Sequence, residues 1–162
     1  MDSTHISEST IYGSSWGTPK IRELFKEKHR VFNWLRILST LAVTQAEYNL
    51  IPTRAAEEII EACDDIVIDE AFLEEIKDDF LLSNHSLIGF IRAVKKRCGE
   101  FGGEWLCYGV TVQDITDTQL MMTLKKVKKH LLSELQNLEQ HLALLARQHQ
   151  STYMLGRTHG QS

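Results

Sequence analysis

The sequence predicts an all-α fold, in which a small N-terminal helical domain over residues 1–110 is followed by the first long helix of a central helical-bundle domain over residues 111–162. Three observations support this prediction. The chain has only two prolines and nine glycines, its apolar residues recur at helical spacing, and no alternation typical of a strand persists. The last third of the chain carries a longer, heptad-like apolar pattern, which is why it is assigned to a second domain.

The helices of the first domain are expected to begin at Thr18-Pro19, which suits an N-cap followed by proline at the first helical position. The apolar spacing that follows indicates two helices or one bent helix. Residues 49–52 break the pattern, and Thr53 is expected to cap a helix over residues 53–63.

Further along the chain, helices are predicted over Asp69–Lys77 and Ser86–Arg97. The glycine-containing segment Cys98–Gly103 is predicted to be a loop.

One very long helix is predicted from near Asp117, because apolar residues recur there at spacings of three and four residues. We call this stripe the leucine seam; it consists of Leu120, Leu124, Val127, Leu131, Leu135, Leu138, Leu142 and Leu145. A helix of about 33 residues reaches roughly 50 Å, too long to bury the seam within a domain of this size. It must pack against other long helices, although a simple dimeric coiled coil would explain the seam equally well.

The charge balance limits the classes of partner that the sequence predicts. A formal net charge of −4 argues against a general nucleic-acid binder, since phosphate contacts need a basic surface. A local basic cluster contains Lys125, Lys126, Lys128 and Lys129. A solvated helix face explains this cluster better than an anion site does.

The cysteines and the N-terminus indicate the cellular compartment of the protein. Cys63, Cys98 and Cys107 are odd in number and lack CxxC spacing, so neither a disulfide framework nor a zinc site is indicated. The N-terminus is polar and no long uncharged apolar run occurs, so secretion and membrane spanning are not expected. We therefore expect a cytoplasmic protein with reduced thiols.

Three polar segments are not explained by the helical pattern: residues 83–90, 108–118 and 156–161. Each begins or ends a predicted helix, where backbone N–H groups can hold anionic oxygens. Each also has a plain alternative. His85 could be a helix-cap histidine, the second segment could only cap the long helix through its Thr116, Asp117 and Thr118, and the third could be a helix C-cap and turn. From the residues alone, the three junctions indicate an anion-binding cleft and nothing more.

In their order and separation, the three segments resemble adenylosuccinate lyase and its relatives in the fumarase/aspartase superfamily. The matching residues are HSLIGF from His85, YGVTVQDITDT from Tyr108 and GRTHGQ from Gly156. Weaker matches are Tyr12, Trp34-Leu35 and the segment Asn49–Pro52. The resemblance covers residues 11–162.

This resemblance implies a carbon–nitrogen lyase of purine nucleotide biosynthesis, which releases fumarate by β-elimination. It implies a homotetramer acting on a small anionic substrate such as a succinyl-nucleotide, without metal or other cofactor. By the same resemblance, His159 is the candidate general acid and His85 assists it or positions the substrate. The remaining substrate-binding candidates are Tyr12, Ser86, Thr111, Gln113, Asp114 and Thr158, with Thr111 and Thr158 donating to a substrate carboxylate.

Three positions depart from the family pattern. Ser86 replaces an aspartate, Ile11 replaces an arginine that often precedes the tyrosine, and Val112 replaces a serine. These departures leave the exact substrate open. A carboxymuconate cycloisomerase is the alternative enzyme, since Gln113-Asp114 resembles its second segment, but the presence of His159 favours the lyase.

The general base of the family is a serine on a later glycine-rich loop, and no such motif occurs in these 162 residues. The resemblance therefore implies an N-terminal portion that is inactive alone. Two non-catalytic alternatives stay open: a regulatory or decoy subunit of a longer homologue, and a helical oligomerisation module.

Overall fold

The computed structural model describes residues 5–85 and 87–161 and confirms the all-α prediction, since this part of the chain contains no strand. The α-helices are α1 (Pro19–Leu24), α2 (Glu27–Glu47), α3 (Thr53–Asp65), α4 (Glu70–Ser83), α5 (Ile88–Lys95), α6 (Glu100–Trp105) and α7 (Val112–Gln148). Two single-turn 3₁₀ helices, Ile6–Glu8 and Gly13–Ser15, precede them. The chain divides into two compact units after Leu124. The assignment of separate domains to residues 1–110 and 111–162 stays a prediction.

The first helices begin where the sequence predicts. The Thr18 hydroxyl accepts from the Ile21 N–H at 3.3 Å, and Pro19 is the first residue of α1. Of the two predicted alternatives, two separate helices are correct, because Lys26 is extended between α1 and α2. Helix α2 ends in a Schellman motif: Asn49 is left-handed (φ 54°) and the Leu50 N–H donates to the Gln45 carbonyl at 2.8 Å.

The boundaries of three helices differ from their predictions. The extended Pro52 is the N-cap of α3, so the prediction that Thr53 is the cap is wrong; Thr53 is already helical. Helix α4, predicted over Asp69–Lys77, begins one residue later, at Glu70, and continues to Ser83. Asp69 is its N-cap, and the Asp69 carboxylate accepts from the Phe72 N–H at 2.8 Å. The helix stops at Ser83 because Asn84 adopts a left-handed conformation. Helix α5 is two residues shorter at each end than the predicted Ser86–Arg97.

The predicted loop Cys98–Gly103 is wrong, because Glu100–Trp105 forms α6. The Glu58 carboxylate of α3 accepts from the Gly102 N–H at 2.7 Å near the start of this helix. A Cβ at residue 102 would lie 2.8 Å from the Glu58 Cβ, so glycine is what lets the two helices approach this closely. Here glycine serves helix packing instead of breaking the helix.

The core of the first unit is built on the apolar face of α2. Its buried residues include Val31, Trp34, Leu35, Leu38, Ala42, Ile59, Phe72, Leu87, Phe90, Val94 and Ile115. The Trp34 and Phe90 rings have centroids 5.2 Å apart, which joins α2 to α5. Hydrogen bonds from Lys96 and Arg97 lower the pKa of the Glu75 carboxyl and tie α4 to the end of α5.

The long helix α7 begins at Val112, five residues before the predicted start at Asp117. Thr111 caps it, so the segment that follows is already helical. Within the first unit, Ile115 and Thr123 of this helix are buried. From Lys125 onwards the helix belongs to the second unit, which also contains residues 149–161.

Candidate active site

The N-terminus of α7 is closed by two hydrogen bonds, one accepted by a threonine hydroxyl and one accepted by an aspartate carboxylate. The Thr111 hydroxyl accepts from the Gln113 N–H at 3.1 Å, and the Asp114 carboxylate accepts from the Thr111 N–H at 2.8 Å. We call this arrangement the capping box of α7, although the threonine accepts from the second helical residue instead of the third. The structure therefore brings the predicted residues Thr111, Gln113 and Asp114 together, with Thr111 exposed at the end of the helix.

The alternative cap, formed by the residues at 116–118, is wrong. The Thr116 hydroxyl donates to the Gln113 carbonyl at 3.1 Å, and the Asp117 carboxylate accepts from the Gln113 side-chain amide at 2.5 Å. Both residues lie inside the first turns of α7 and make i,i+3 or i,i+4 contacts there. The Gln113 amide and the Asp114 carboxylate thus hold the helix end, while an accepting Thr111 hydroxyl still has its own proton to donate.

His85 lies between α4 and α5, directly after the left-handed Asn84. It is half-buried, and its Nδ1 accepts from the Leu87 N–H at 3.4 Å. The N-cap of α5 is Leu87, so His85 is not the cap residue of that helix. In a neutral imidazole whose Nδ1 accepts, the proton is on Nε2, which suits a donor role. The predicted Ser86 lies outside the described residues.

Tyr12 is more than half exposed and lies between the two 3₁₀ turns. The Ser9 hydroxyl accepts from the Tyr12 N–H at 3.1 Å. Arg22 of α1 donates from Nη2 to the carbonyls of Gly13 and Gly17, the latter at 3.0 Å. This guanidinium fixes the backbone on which Tyr12 is carried.

Residues 158–161 form a tight turn. Thr158 and Gln161 exchange two backbone hydrogen bonds of 2.9 Å, and the central residues His159 and Gly160 have φ of 48° and 76°. Positive φ at both central positions defines a type I′ turn. Helix α7 has already ended at Gln148, so the alternative of a helix C-cap is wrong. Thr158 and His159 are therefore adjacent on one exposed turn of the second unit.

A groove of about 750 Å³ in the first unit has the wrong charge for an anionic substrate. Its lining residues include Glu58, Glu61, Asp65, Asp69, Glu75 and Arg97. The carboxylates outnumber the single guanidinium, so the groove repels anions. Among the described residues, no group of three or more histidine, cysteine or acidic side chains is placed to hold a metal ion.

The cysteines are poor nucleophiles. Burial raises the pKa of the Cys63 thiol to about 12 and those of Cys98 and Cys107 to about 11. Near neutral pH these groups stay protonated, and the thiolate is the reactive form.

Two side chains next to the site were not predicted from the sequence. Gln45 of α2 donates from Nε2 to the Tyr108 carbonyl at 2.7 Å, and Arg22 holds the turn that carries Tyr12. The available signal for Gln45 was a polar residue in register with the apolar stripe of Leu35, Leu38 and Ala42.

Residues 14–162 match the family described as Lyase. Over 157 residues the chain is 32% identical to the N-acetyl-S-(2-succino)cysteine lyase of Dickeya dadantii (strain 3937), covering 97% of the chain and 34% of that enzyme. Over 146 residues it is 33% identical to the adenylosuccinate lyase of Methanocaldococcus jannaschii, covering 90% of the chain and 31% of that enzyme. Its fold is similar to the crystal structure of fumarate lyase from Mesorhizobium sp. BNC1, with a TM-score of 0.82 and 31% identity over 93% of this chain and 34% of that one.

The chain thus spans about a third of the length of the curated relatives it matches. The family match, the relatives and the fold agree with the three polar segments. The chain belongs to the lyase family of the fumarase/aspartase superfamily and corresponds to the N-terminal portion of such enzymes.

Proposed function

We propose that the protein acts in a lyase of the adenylosuccinate type, which releases fumarate by β-elimination from a small anionic substrate. The observation that carries this proposal is the type I′ turn that holds His159, with a left-handed backbone, at an exposed position. A left-handed non-glycine residue is uncommon, and such strain concentrates at functional sites.

In this reaction a proton leaves the carbon next to a carboxylate, and the electrons spread into that carboxylate. Fixed donors are needed where the negative charge develops. The N-terminus of α7 supplies a helix dipole of the right sign, and the Thr111 hydroxyl supplies a donor. Asp114 contributes by holding the Thr111 N–H, so its role here is to position Thr111 and Gln113.

The leaving group needs a proton as its bond to carbon breaks. A histidine can deliver it near neutral pH because its ordinary pKa lies close to 6.5. In the proposal, His159 is this general acid and Thr158 beside it donates to the substrate. His85, with its proton on Nε2, assists the acid or positions the substrate, and Tyr12 binds the substrate's phosphate or an equivalent group.

The nature of the leaving group is the finer part of the proposal. The resemblance of the three polar segments favours adenylosuccinate, with a nitrogen leaving group and a place in purine nucleotide biosynthesis. The 32% identity with the N-acetyl-S-(2-succino)cysteine lyase supports a second candidate, in which the leaving group is a thiol. Both candidate substrates carry a 1,2-dicarboxyethyl group on a heteroatom, so the same acid and carboxylate donors serve either reaction. We further propose a cytoplasmic homo-oligomer, tetrameric in the complete enzyme, that needs no metal or other cofactor.

The test joins residues 1–162 to the remaining two thirds of the Methanocaldococcus jannaschii adenylosuccinate lyase and follows fumarate release. We expect turnover in this chimera, and we expect His159→Gln to lower kcat by about 10²–10⁴-fold with a smaller change in KM, because a general acid acts mainly in the transition state. Adenylosuccinate and N-acetyl-S-(2-succino)cysteine are assayed in parallel.

His141→Gln is the matched control. His141 is exposed on α7, and its Nδ1 lies 2.7 Å from the Asn137 carbonyl. This variant should keep near-normal turnover. If a folded His159→Gln chimera turned over normally, His159 would not be the acid, and the type I′ turn would have a structural role only.

A further inference from the structure

Gln45 makes a buried, long-range hydrogen bond that no helix requires. The side chain is 8% exposed, and its amide reaches across 63 residues of sequence to the Tyr108 carbonyl at 2.7 Å. An unpaired amide buried this deeply is costly, so the bond to the Tyr108 carbonyl favours this position of the side chain. The bond therefore fixes one carbonyl just before the capping box of α7.

The end of α2, which carries Gln45, is held in place by the fold. Its own carbonyl accepts from the Leu50 N–H at 2.8 Å in the Schellman motif that ends α2. The neighbouring Ile51 is buried, which anchors the chain directly after this motif. The position of the amide is thus set by the core of the first unit.

The segment that Gln45 holds contains two consecutive turns. Tyr108 N–H donates to the Trp105 carbonyl at 3.0 Å with Cys107 left-handed, and Val110 N–H donates to the Cys107 carbonyl at 3.3 Å with Gly109 left-handed. A positive φ at the third residue is the signature of a type II turn. The second turn ends at Val110, directly before Thr111.

In the second turn, the Tyr108 carbonyl belongs to the central peptide, between residues 108 and 109. The orientation of this peptide plane distinguishes a type II turn from a type I turn. A donor placed on the Tyr108 oxygen therefore selects one orientation and with it the positive φ of Gly109. Because this turn ends at Val110, the hydrogen bond to the Tyr108 carbonyl also anchors the chain to α2 just before Thr111.

We propose that Gln45 is a positioning residue for the carboxylate-binding end of α7. Its amide sets the Tyr108–Gly109 peptide and so places the Thr111 hydroxyl where a substrate carboxylate is bound. The substrate-binding half of this inference rests on the proposed function; the conformational half does not.

The test uses Gln45→Met in the 162-residue chain, because methionine keeps the length of the side chain and removes the donor. The readout is NMR of the Gly109, Val110 and Thr111 amides. We expect exchange of the Val110 and Thr111 amides with solvent to accelerate by about tenfold or more, as the loss of one buried hydrogen bond allows. Unchanged exchange in a folded variant would overturn the proposal.

Gln119→Met is the matched control. The Gln119 amide also makes one side-chain hydrogen bond, to the Thr123 hydroxyl at 3.0 Å, but on α7 and away from the turn. This variant should leave the Gly109–Thr111 amides as they are. If it disturbed them as much as Gln45→Met does, the effect would be general loosening and the positioning role would be rejected.

Gln45→Glu supplies a second test that does not depend on the methionine variant folding. A buried carboxyl facing a carbonyl has a raised pKa, and only its protonated form can donate. The native chemical shifts of Val110 and Thr111 should therefore return as the pH falls and be lost as it rises. If the chemical shifts of Val110 and Thr111 did not change with pH in a folded variant, this result would count against a donor role for residue 45.

In the chimera described above, Gln45→Met should raise KM for adenylosuccinate by about tenfold and change kcat less. Altered amides with an unchanged KM would support the turn-positioning role and would reject the contact of Thr111 with the substrate carboxylate. The two proposals therefore fail separately.

Discussion

Four residues other than glycine have a left-handed backbone in the described chain, and they fall into two groups. Asn49 and Asn84 follow the ends of α2 and α4, where a left-handed residue closes a helix and asparagine is well tolerated. Cys107 lies in the turn before the second polar segment, and His159 lies in the turn of the third. Neither residue ends a helix, so helix termination does not account for their left-handed backbone.

Asn49→Ala should lower the free energy of unfolding by about 1 kcal/mol, because alanine resists the left-handed conformation that ends α2. Asn49→Gly should be neutral or slightly stabilising, since glycine adopts this conformation without strain. Urea unfolding of the three proteins at one concentration measures the difference. An alanine variant as stable as the glycine variant would show that the end of α2 can rearrange at no cost.

Some residues of the candidate site could be predicted from the sequence, and others could not. The order of the polar segments indicated the superfamily that the comparisons show, and it selected Thr111 and His159 because short motifs carry residue types as well as spacing. Gln45 was missed because its partner is a backbone carbonyl 63 residues away, which leaves no trace in local periodicity. Its only local sign is a polar residue on an apolar helix face.

At the scale of elements, α6 shows how a short helix is fixed by one carboxylate. The pKa of the Glu58 carboxyl is lowered from 4.5, chiefly because the Gly102 N–H donates to it, and Arg54 beside it contributes. The Arg54 guanidinium also lies 4.1 Å from the centroid of the Phe101 ring. Helices α3 and α6 are joined through this small group.

A lowered carboxyl pKa stabilises the fold above the ordinary value of 4.5, and this stability is lost as the pH falls through the lowered value. Glu58→Gln should therefore lower the melting temperature at neutral pH and flatten its decline between about pH 5 and pH 3. Thermal melts across this range measure both effects. Glu61→Gln, at an exposed position of the same helix, is the control and should behave as the parent chain.

The same contact explains why the helix at Glu100–Trp105 could not be predicted. Read locally, Gly102 and Gly103 disfavour a helix, by about 1 kcal/mol each relative to alanine. Their use becomes visible only when α3 is in place, because Gly102 lies against the Ala55 carbonyl and the Glu58 Cβ. Tertiary packing overrides the local propensity. By contrast, Thr18-Pro19 needs only local hydrogen bonds, and its prediction is confirmed.

At the scale of the whole molecule, no described residue of the chain covers the leucine seam. Its seven leucines are 41–59% exposed, although an apolar stripe of this length is normally buried. No helix among the described residues is both long and apolar enough to span a membrane. Because the seam leucines are exposed, we propose that helices from copies of the protein cover the seam.

Leu131→Asp should shift the protein towards smaller species, because a carboxylate in the middle of the seam cannot be buried without a partner. Sedimentation velocity over a range of concentrations measures the shift. Leu144→Asp is the control: Leu144 is 61% exposed on the same helix but out of the seam's register. A parent chain that stayed monomeric at tens of micromolar would contradict the proposed packing of the seam.

The type I′ turn and the capping box share a property that bears on the entropy of the site. Each is closed by bonds between residues two or three positions apart, so few dihedral angles are fixed to form it. The Gln45–Tyr108 bond, in contrast, closes a loop of 63 residues. The entropic cost of closing this loop is offset by the burial of the helices between the two residues. We propose that the backbone carrying Thr111 and His159 is ordered by these bonds before any ligand arrives. A ligand that binds there would not lose affinity to order it.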